Sequence, residues 1–173
     1  MGLVLLLGGA RAGKSALAVG HARRVGGPVV FVATAEPLDD EMRDRIARHR
    51  AERDAGWQTV EEPLALEEAL AAAPPGACVV VDCLSLWTAN LIARGDDEAA
   101  VAGAAQRAAR LAAARVGPTY AVSNEVGWGV VPASPLGRRY RDVHGRVNRI
   151  WAEHAEEALL VVAGRGLELR ALE

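Results

Sequence analysis

The chain has 173 residues, which is enough for one domain with a buried core and short for two. Hydrophobic residues make up 51% and charged residues 24%, so a globular chain is expected rather than a disordered one. A formal net charge of −2 argues against a nucleic-acid binder or a polybasic membrane binder.

Met1 leads directly into an apolar run without a preceding basic segment, so no signal peptide is predicted. No apolar run approaches the roughly 20 residues that span a bilayer, and stable membrane insertion is not expected. The two cysteines, Cys78 and Cys83, are too few for a disulfide framework, and their spacing fits no common zinc signature. These features together predict a cytoplasmic protein.

Short apolar runs alternate with segments of helical spacing along the chain. The sequence predicts strands over 2–7, 28–34, 77–84 and 119–127, with one or two last strands over 159–164 and 167–172. Helices are predicted over 15–25, 38–56, 63–73, 98–117 and 135–158. Fully apolar strands between helices are typical of an α/β fold, a mostly parallel sheet with helices on both faces, here as one domain over 1–173.

A glycine-rich segment, "GGARAGKS", follows the first predicted strand. Gly8-x-x-x-x-Gly13-Lys14-Ser15 matches the P-loop pattern in its required context, with an apolar strand before it and a helix after it. Backbone N–H groups and the positive end of the helix dipole then face a phosphate. Lys14 is the only lysine of the chain, and a slim, mobile ammonium reaches phosphate oxygens where a planar guanidinium does not fit.

In a P-loop protein, a carboxylate at the end of another buried strand helps to bind the metal ion. Asp82 ends the run "VVVD" and is predicted to hold Mg²⁺ together with the Ser15 hydroxyl. The alternative for Asp82 is an ordinary cap or turn residue at the end of a strand.

The lack of a second lysine narrows the possible classes of P-loop protein. A GTPase needs an Asn-Lys-x-Asp motif, and no second lysine exists to build it. A small-molecule kinase or nucleotidyl transferase remains, with a nucleotide-responsive regulatory protein as the alternative from another class.

Five segments resemble the bifunctional adenosylcobinamide kinase / adenosylcobinamide-phosphate guanylyltransferase family of cobalamin biosynthesis. They run nearly from end to end of the chain and are "LLGGARAGKSALA", "FVATAEPLDDEMRDRIARHRAERDAGWQTVEEP", "VVVDCLSLWTANLI", "SNEVGWGVVPASPLGRRYRDVHGRVN" and "LLVVAGRGLEL". The second and fourth are long and idiosyncratic, so the likeness is more specific than a P-loop alone.

The resemblance implies two reactions and a set of site residues. A nucleoside triphosphate phosphorylates the aminopropanol hydroxyl of adenosylcobinamide, and GMP from GTP then passes through a guanylylated histidine to the phosphate, giving adenosylcobinamide-GDP and pyrophosphate. The implied catalytic residues are His49 and Lys14, the cofactor is Mg²⁺, and the co-substrate is GTP, with ATP open for the kinase step. The implied nucleotide contacts are Gly8, Gly9, Ala10, Arg11, Ala12, Gly13, Lys14, Ser15, Ala33, Thr34, Ala35, Arg50, Ala51, Glu52, Arg53, Glu61 and Asp82; Glu61 is chosen over Glu62 by counting from Trp57. A homotrimer is implied as well.

The residues around His49 suit a nucleophile. Arginines surround it, and in a continuous helix Arg45, His49 and Arg53 would share one face. Nearby cations disfavour protonation of the imidazole and stabilise charge on a phosphate and on departing pyrophosphate. Without the resemblance, a solvated basic helix face with a surface histidine would be the simpler interpretation. Segment 36–56 is predicted to move as a lid, so that His49 reaches the α-phosphate.

The remaining candidates are less specific. The loop "SNEVGWGVVP" should leave the sheet at the P-loop edge, where Asn124 and Glu125 either contact a ligand or form a turn. Trp87 and Trp128 offer apolar surfaces for the corrin ring, for a neighbouring subunit or for the core. His21 and His154 are predicted to be structural or surface residues. His144 is predicted to pack, with substrate contact as the alternative.

Overall fold

The computed structural model describes residues 2–51 and 53–171. Within these ranges the strands are β1 Leu3–Gly8, β2 Val29–Ala33, β3 Gln58–Glu61, β4 Cys78–Asp82, β5 Thr119–Asn124, β6 Glu157–Val162 and β7 Arg165–Leu169. The helices are α1 Lys14–Val25, α2 Asp40–Ala51, α3 Leu66–Ala72, α4 Leu84–Arg94, α5 Glu98–Ala114 and α6 Pro135–His154.

The strands form one sheet in the order β3-β2-β4-β5-β1-β6-β7. All neighbours are parallel except β7, which pairs antiparallel with β6. Leu3 lies opposite Thr119 and Gly8 opposite Asn124, so the carboxyl ends of β1 and β5 meet at the same edge. The predicted α/β fold with a mostly parallel sheet is confirmed.

Alternate residues of β1 build the two faces of the core. Leu3, Leu5 and Leu7 point into a cluster that includes buried residues of α3, α4, α5 and α6. Val4 and Leu6 point to the opposite face, where α1 supplies the buried helical residues. Burial of one leucine side chain contributes roughly 2 kcal/mol, so this all-apolar strand anchors the fold on both sides. Helices cover both faces as predicted, but unequally.

Helix α2 stands apart from this core. Among its described side chains none is fully buried. It begins behind Asp39, whose Oδ1 accepts a hydrogen bond from the Met42 N–H at 2.7 Å and caps the helix. The helix ends at Ala51, which makes the predicted helical face shared by Arg45, His49 and Arg53 wrong, because Arg53 lies in the turn that follows. The Arg45 side chain is outside the described part of the chain.

Two elements were not predicted, and several predicted ends besides that of α2 were wrong. The short strand β3 and the helix α4 are additional to the predicted set. The last long helix was predicted to run to residue 158, but α6 ends at His154 because Glu157 already pairs with Val4 of β1. In the described residues, no helix combines the length and apolarity needed to cross a membrane.

Candidate active site

The loop between β1 and α1 takes a shape that specific glycines allow. Gly8 has φ +149°, and a Cβ there would lie 2.2 Å from the Val161 carbonyl oxygen. Gly13 has φ +104° and directly precedes α1, whose first residue is Lys14. The loop therefore wraps tightly in front of the positive end of a helix, which is a ready-made anion site.

Lys14 lies inside the loop that it serves. Its side chain is buried, and Nζ donates hydrogen bonds to the carbonyl oxygens of Gly8 at 2.9 Å and Gly9 at 2.6 Å. These two carbonyls hold the ammonium group at the start of the loop. A phosphate oxygen would compete with them for the same protons.

Two adjoining cavities meet at the P-loop. The first has a volume of about 370 Å³ and extends along α2. The second has a volume of about 340 Å³ and is lined by residues 11–16 of the loop and its helix. Ser15, His49, Asp82 and Cys83 line both cavities. The fold therefore brings His49, Asp82 and the P-loop together around these two adjoining cavities.

The donors predicted for Mg²⁺ fit that ion. Asp82 ends β4 and is half-buried, and Ser15 stands in the first turn of α1. A hydroxyl and a carboxylate facing the same cavities are hard oxygen ligands of the kind that Mg²⁺ uses beside substrate phosphates.

The wall of the first cavity is apolar along its helical side. Its apolar lining residues include Met42 and Ile46 of α2, Leu86 of α4, Ala33 and Ala35. Met42 and Ile46 are spaced i, i+4 on α2, and this apolar pair lines a cavity and not the core. An apolar slot beside the P-loop suits a flat ring such as a nucleobase.

Charged side chains also line the first cavity. The Arg53 guanidinium carbon lies 3.8 Å from the centre of the Phe31 ring, and Nη1 donates to Thr59 Oγ1 at 3.4 Å. Burial lowers the pKa of Arg53, with Asp82 opposing that effect. Arg50 Nη2 lies 3.3 Å from Glu61 Oε1.

The neighbouring glutamates at 61 and 62 have different tasks. Glu61 lines the first cavity. Glu62 turns away and accepts hydrogen bonds from the Leu64 and Ala65 N–H groups at 3.0 and 2.8 Å, at the start of α3. The geometry therefore supports Glu61 as the cavity residue.

Some predicted contacts do not face the cavities with their side chains. Gly8, Gly9 and Ala10 contribute loop backbone and line neither cavity, and Ala51 is exposed at the end of α2. Thr34 is buried, where Oγ1 donates to the Cys83 carbonyl at 2.7 Å and accepts from the Cys83 N–H at 2.8 Å. Glu52 lies outside the described residues.

A buried polar network lies behind the end of β5. His144 is fully buried, with Nδ1 at 3.1 Å from Thr88 Oγ1 and Nε2 at 3.0 Å from the Asn124 carbonyl oxygen. Asn148 Nδ2 donates to the same carbonyl at 3.0 Å. Burial lowers the pKa of His144 to about 4, so the ring is neutral at pH 7. His144 packs, as predicted, and holds the strand end whose Asn124 lines the second cavity.

The tryptophans separate into core and surface. Trp87 is buried and its Nε1 donates to the Leu64 carbonyl at 2.8 Å, so it belongs to the core. Trp128 is 75% exposed in the loop after β5. His21 packs its ring 5.2 Å from that of Tyr120, and His154 lies 2.6 Å from Gln106, which agrees with structural or surface roles.

Sequence reasoning missed Cys83 as a site residue. Its spacing from Cys78 only argued against a disulfide framework and a zinc site, but it lines both cavities directly after Asp82. Burial raises the pKa of its thiol to about 11, so it forms an inert wall and not a nucleophile. Its place next to the predicted metal carboxylate was the one available signal.

The sequence profile of the family described as cobinamide kinase / cobinamide phosphate guanyltransferase matches residues 4–169. The chain belongs to this family. The predicted resemblance is confirmed, and the pair of activities expected from it agrees with the family's description.

Named relatives cover nearly the whole chain. The bifunctional adenosylcobalamin biosynthesis protein CobP of Pseudomonas aeruginosa is 44% identical over 96% of this chain and 96% of its own. The proteins named CobU from Escherichia coli and Salmonella typhimurium are 38% and 35% identical, each over 97% of this chain and 99% of their own. A solved structure from Pyrococcus horikoshii superimposes with a TM-score of 0.59 at 10% identity, covering 99% of this chain and 87% of that one, which shows a shared fold.

Proposed function

We propose that this family member is a single-domain enzyme that phosphorylates adenosylcobinamide and then transfers GMP from GTP to the resulting phosphate. The observation that carries the proposal is that His49 and the P-loop line the same cavity. One bound triphosphate can then meet both the cradle that handles its phosphates and the imidazole that takes its nucleoside monophosphate.

In the kinase step the protein positions the triphosphate and neutralises its charge, and it takes little part in the covalent chemistry. Lys14 moves from the carbonyls of Gly8 and Gly9 to the β- and γ-phosphates. The loop N–H groups hold phosphate oxygens while the aminopropanol hydroxyl oxygen attacks the γ-phosphorus. The β–γ phosphoanhydride bond breaks, the nucleoside diphosphate leaves with the bonding electrons, and the hydroxyl proton passes to solvent. Mg²⁺, when bound by Ser15 and Asp82, would neutralise charge on the phosphates.

In the transferase step a ring nitrogen of His49 attacks the α-phosphorus of GTP. A nitrogen–phosphorus bond forms, the α–β phosphoanhydride bond breaks, and pyrophosphate leaves with the bonding electrons. An oxygen of adenosylcobinamide phosphate then attacks the same phosphorus and frees the imidazole. Arg50 and Arg53, which line the first cavity, stabilise the added charge.

GTP is the natural donor for this cavity. Glu61 can accept hydrogen bonds from a guanine edge, which presents N–H donors, while Met42, Ile46 and Leu86 contact its faces. ATP remains the alternative donor for the kinase step. Action in the cytoplasm and assembly as a homotrimer, both expected from the sequence and its resemblance, belong to the same proposal.

The alternatives are a kinase with one activity and a nucleotide-responsive regulatory protein. Transfer of labelled γ-phosphate and release of pyrophosphate, measured with GTP, Mg²⁺ and adenosylcobinamide, separate them. We expect His49→Ala to retain phosphorylation and to lose pyrophosphate release at least a hundredfold. Lys14→Ala should lose both by at least that factor, because both reactions use the triphosphate held by the loop.

His154→Ala is the matched control, since this histidine lies at the end of α6 beside Gln106 and lines neither cavity. It should keep both activities. Phosphorylation that survives in Lys14→Ala would contradict the assigned cradle. Wild-type binding of GTP without any turnover would favour the regulatory alternative.

A further inference from the structure

The turn between β6 and β7 lies against the outer side of the P-loop, about 150 residues later in the sequence. The Gly164 N–H donates a hydrogen bond of 2.8 Å to the Ala12 carbonyl oxygen. A Cβ added at Gly13 would lie 3.4 Å from Gly164 Cα, and one added at Gly8 would collide with the Val161 carbonyl. The hairpin therefore touches the loop at its beginning, at Gly8, and at its end, at Ala12 and Gly13 just before α1.

The hydrogen bond to Ala12 fixes the direction of a phosphate-binding group. In a trans peptide the C=O and the following N–H point in opposite directions. The Ala12–Gly13 bond is trans, so a carbonyl held outward by Gly164 directs the Gly13 N–H to the opposite side. That is the side of the second cavity, which Ala12 and Gly13 both line.

The start of the loop is fixed as well. The Gly8 carbonyl oxygen accepts hydrogen bonds from the Glu125 N–H, directly after β5, at 3.1 Å and from Lys14 Nζ at 2.9 Å. The start of the loop is thus held beside β5 and its end by the turn after β6, and both strands flank β1 in the sheet.

The turn between β6 and β7 has a left-handed backbone where it contacts Ala12. Val162 and Arg165 pair across it, and the two residues between them have φ +51° at Ala163 and +75° at Gly164. A left-handed alanine costs about 1 kcal/mol or more, so the turn keeps a strained conformation where it meets the loop. A Cβ at Gly164 would meet nothing within 4 Å, which means that conformation and not space restricts this position.

We infer that Gly164 is a positioning residue for nucleotide binding: its N–H holds the Ala12 carbonyl and thereby aims the Gly13 amide at a phosphate. Gly164 acts through the loop and does not touch the nucleotide. The inference rests on the proposed function to the extent that this loop binds GTP.

An ester in place of the Ala163–Gly164 amide, introduced by ligating a synthetic carboxyl-terminal peptide, removes the donor and keeps the chain length. We expect the Kd for GTP to rise about threefold to tenfold, as for the loss of one backbone hydrogen bond. Gly164→Asn keeps both the N–H and the left-handed backbone and should bind GTP within about twofold of wild type. Gly166→Ala changes the same hairpin away from the loop, where its Cβ meets only Leu159 at 3.9 Å, and should leave Kd unchanged.

A purely structural role would lower the Tm of the ester variant and leave its Kd for GTP at the wild-type value, and that result would overturn the inference. A reciprocal measurement on the unmodified protein does not depend on a variant that folds. GTP should slow hydrogen exchange of the Gly164 amide, because bound phosphate rigidifies the loop to which it donates. An exchange rate that GTP leaves unchanged would also overturn it. Failure of wild type to bind GTP would instead contradict the proposed function and remove the basis of the inference.

Discussion

At the scale of single residues, His144 shows how a titratable side chain serves the site without reaching it. Its described partners Thr88, Ser123 and the Asn124 carbonyl are uncharged, and its ring stacks on that of Tyr140 with centroids 5.4 Å apart. Burial among these groups disfavours the imidazolium and lowers the pKa to about 4. The end of β5 is therefore held by a neutral network whose integrity depends on pH.

The free energy of unfolding should fall as the medium is acidified. The ordinary pKa of 6.5 applies to the unfolded chain, so between about pH 6.5 and pH 4 the unfolded chain binds a proton that the folded chain does not. The contribution of His144 is fully present above pH 6.5 and is lost toward pH 4, by about 3 kcal/mol. Urea unfolding at several pH values measures this.

The comparison is between the wild type and His144→Gln. Replacement of His144 should remove up to about 1.4 kcal/mol per pH unit from the slope in this window. His21, whose pKa is also lowered by burial, titrates in both proteins and cancels in the comparison. An unchanged slope in His144→Gln would show that His144 is not the group responsible.

At the scale of elements, α2 differs from every helix that covers the sheet. Side-chain contacts tie its carboxyl end and the turn after it to other elements: Arg50 with Glu61, Arg53 with Phe31, and Asp54 with Arg23. At its amino end, Arg43 bonds to Asp40 and the Pro37 carbonyl, which are close to it in the sequence. A helix draws most of its stability from packing, so α2 is attached at one end and weakly held along its length.

Hydrogen exchange should therefore be faster in α2 than in the other helices, and GTP should slow it at least tenfold by closing α2 over the nucleotide. Helix α4 is the internal control, since Leu84, Trp87 and Leu91 bury it in the core. Exchange in α4 should be slow with or without GTP. If α2 were as protected as α4 without nucleotide, or if GTP had no effect on it, the predicted lid would be wrong.

The missed elements show what local patterns can and cannot reveal. Helix α4 buries Leu84, Trp87, Thr88, Leu91 and Ile92, an i, i+3, i+4 series that was sufficient to find it, although it starts without a side-chain cap directly after a strand. Strand β3 has only four residues, "QTVE", and none is fully buried, so its pairing with β2 depends on the sheet and not on its own sequence.

At the scale of the whole molecule, the order of the strands in the sheet determines where the site lies. The P-loop, Asp82 and the loop after β5 were all expected at the carboxyl edge, because parallel strands end together there. The pairing of β5 with β1, and the return of the β6–β7 turn to the P-loop, arise from contacts between residues more than 100 positions apart. The residues at the P-loop edge could therefore be predicted from the sequence, whereas the contacts of the loop with β5 and with the β6–β7 turn could not.

Covalent capture of GMP tests the central claim most directly. The protein is incubated with Mg²⁺ and GTP labelled at the α-phosphate, denatured and examined for label on the chain. We expect label that is stable to alkali and labile to acid, as for a phosphoramidate, that maps to His49 and is absent from His49→Ala. A wild-type chain without label, or equal label in His49→Ala, would contradict the account.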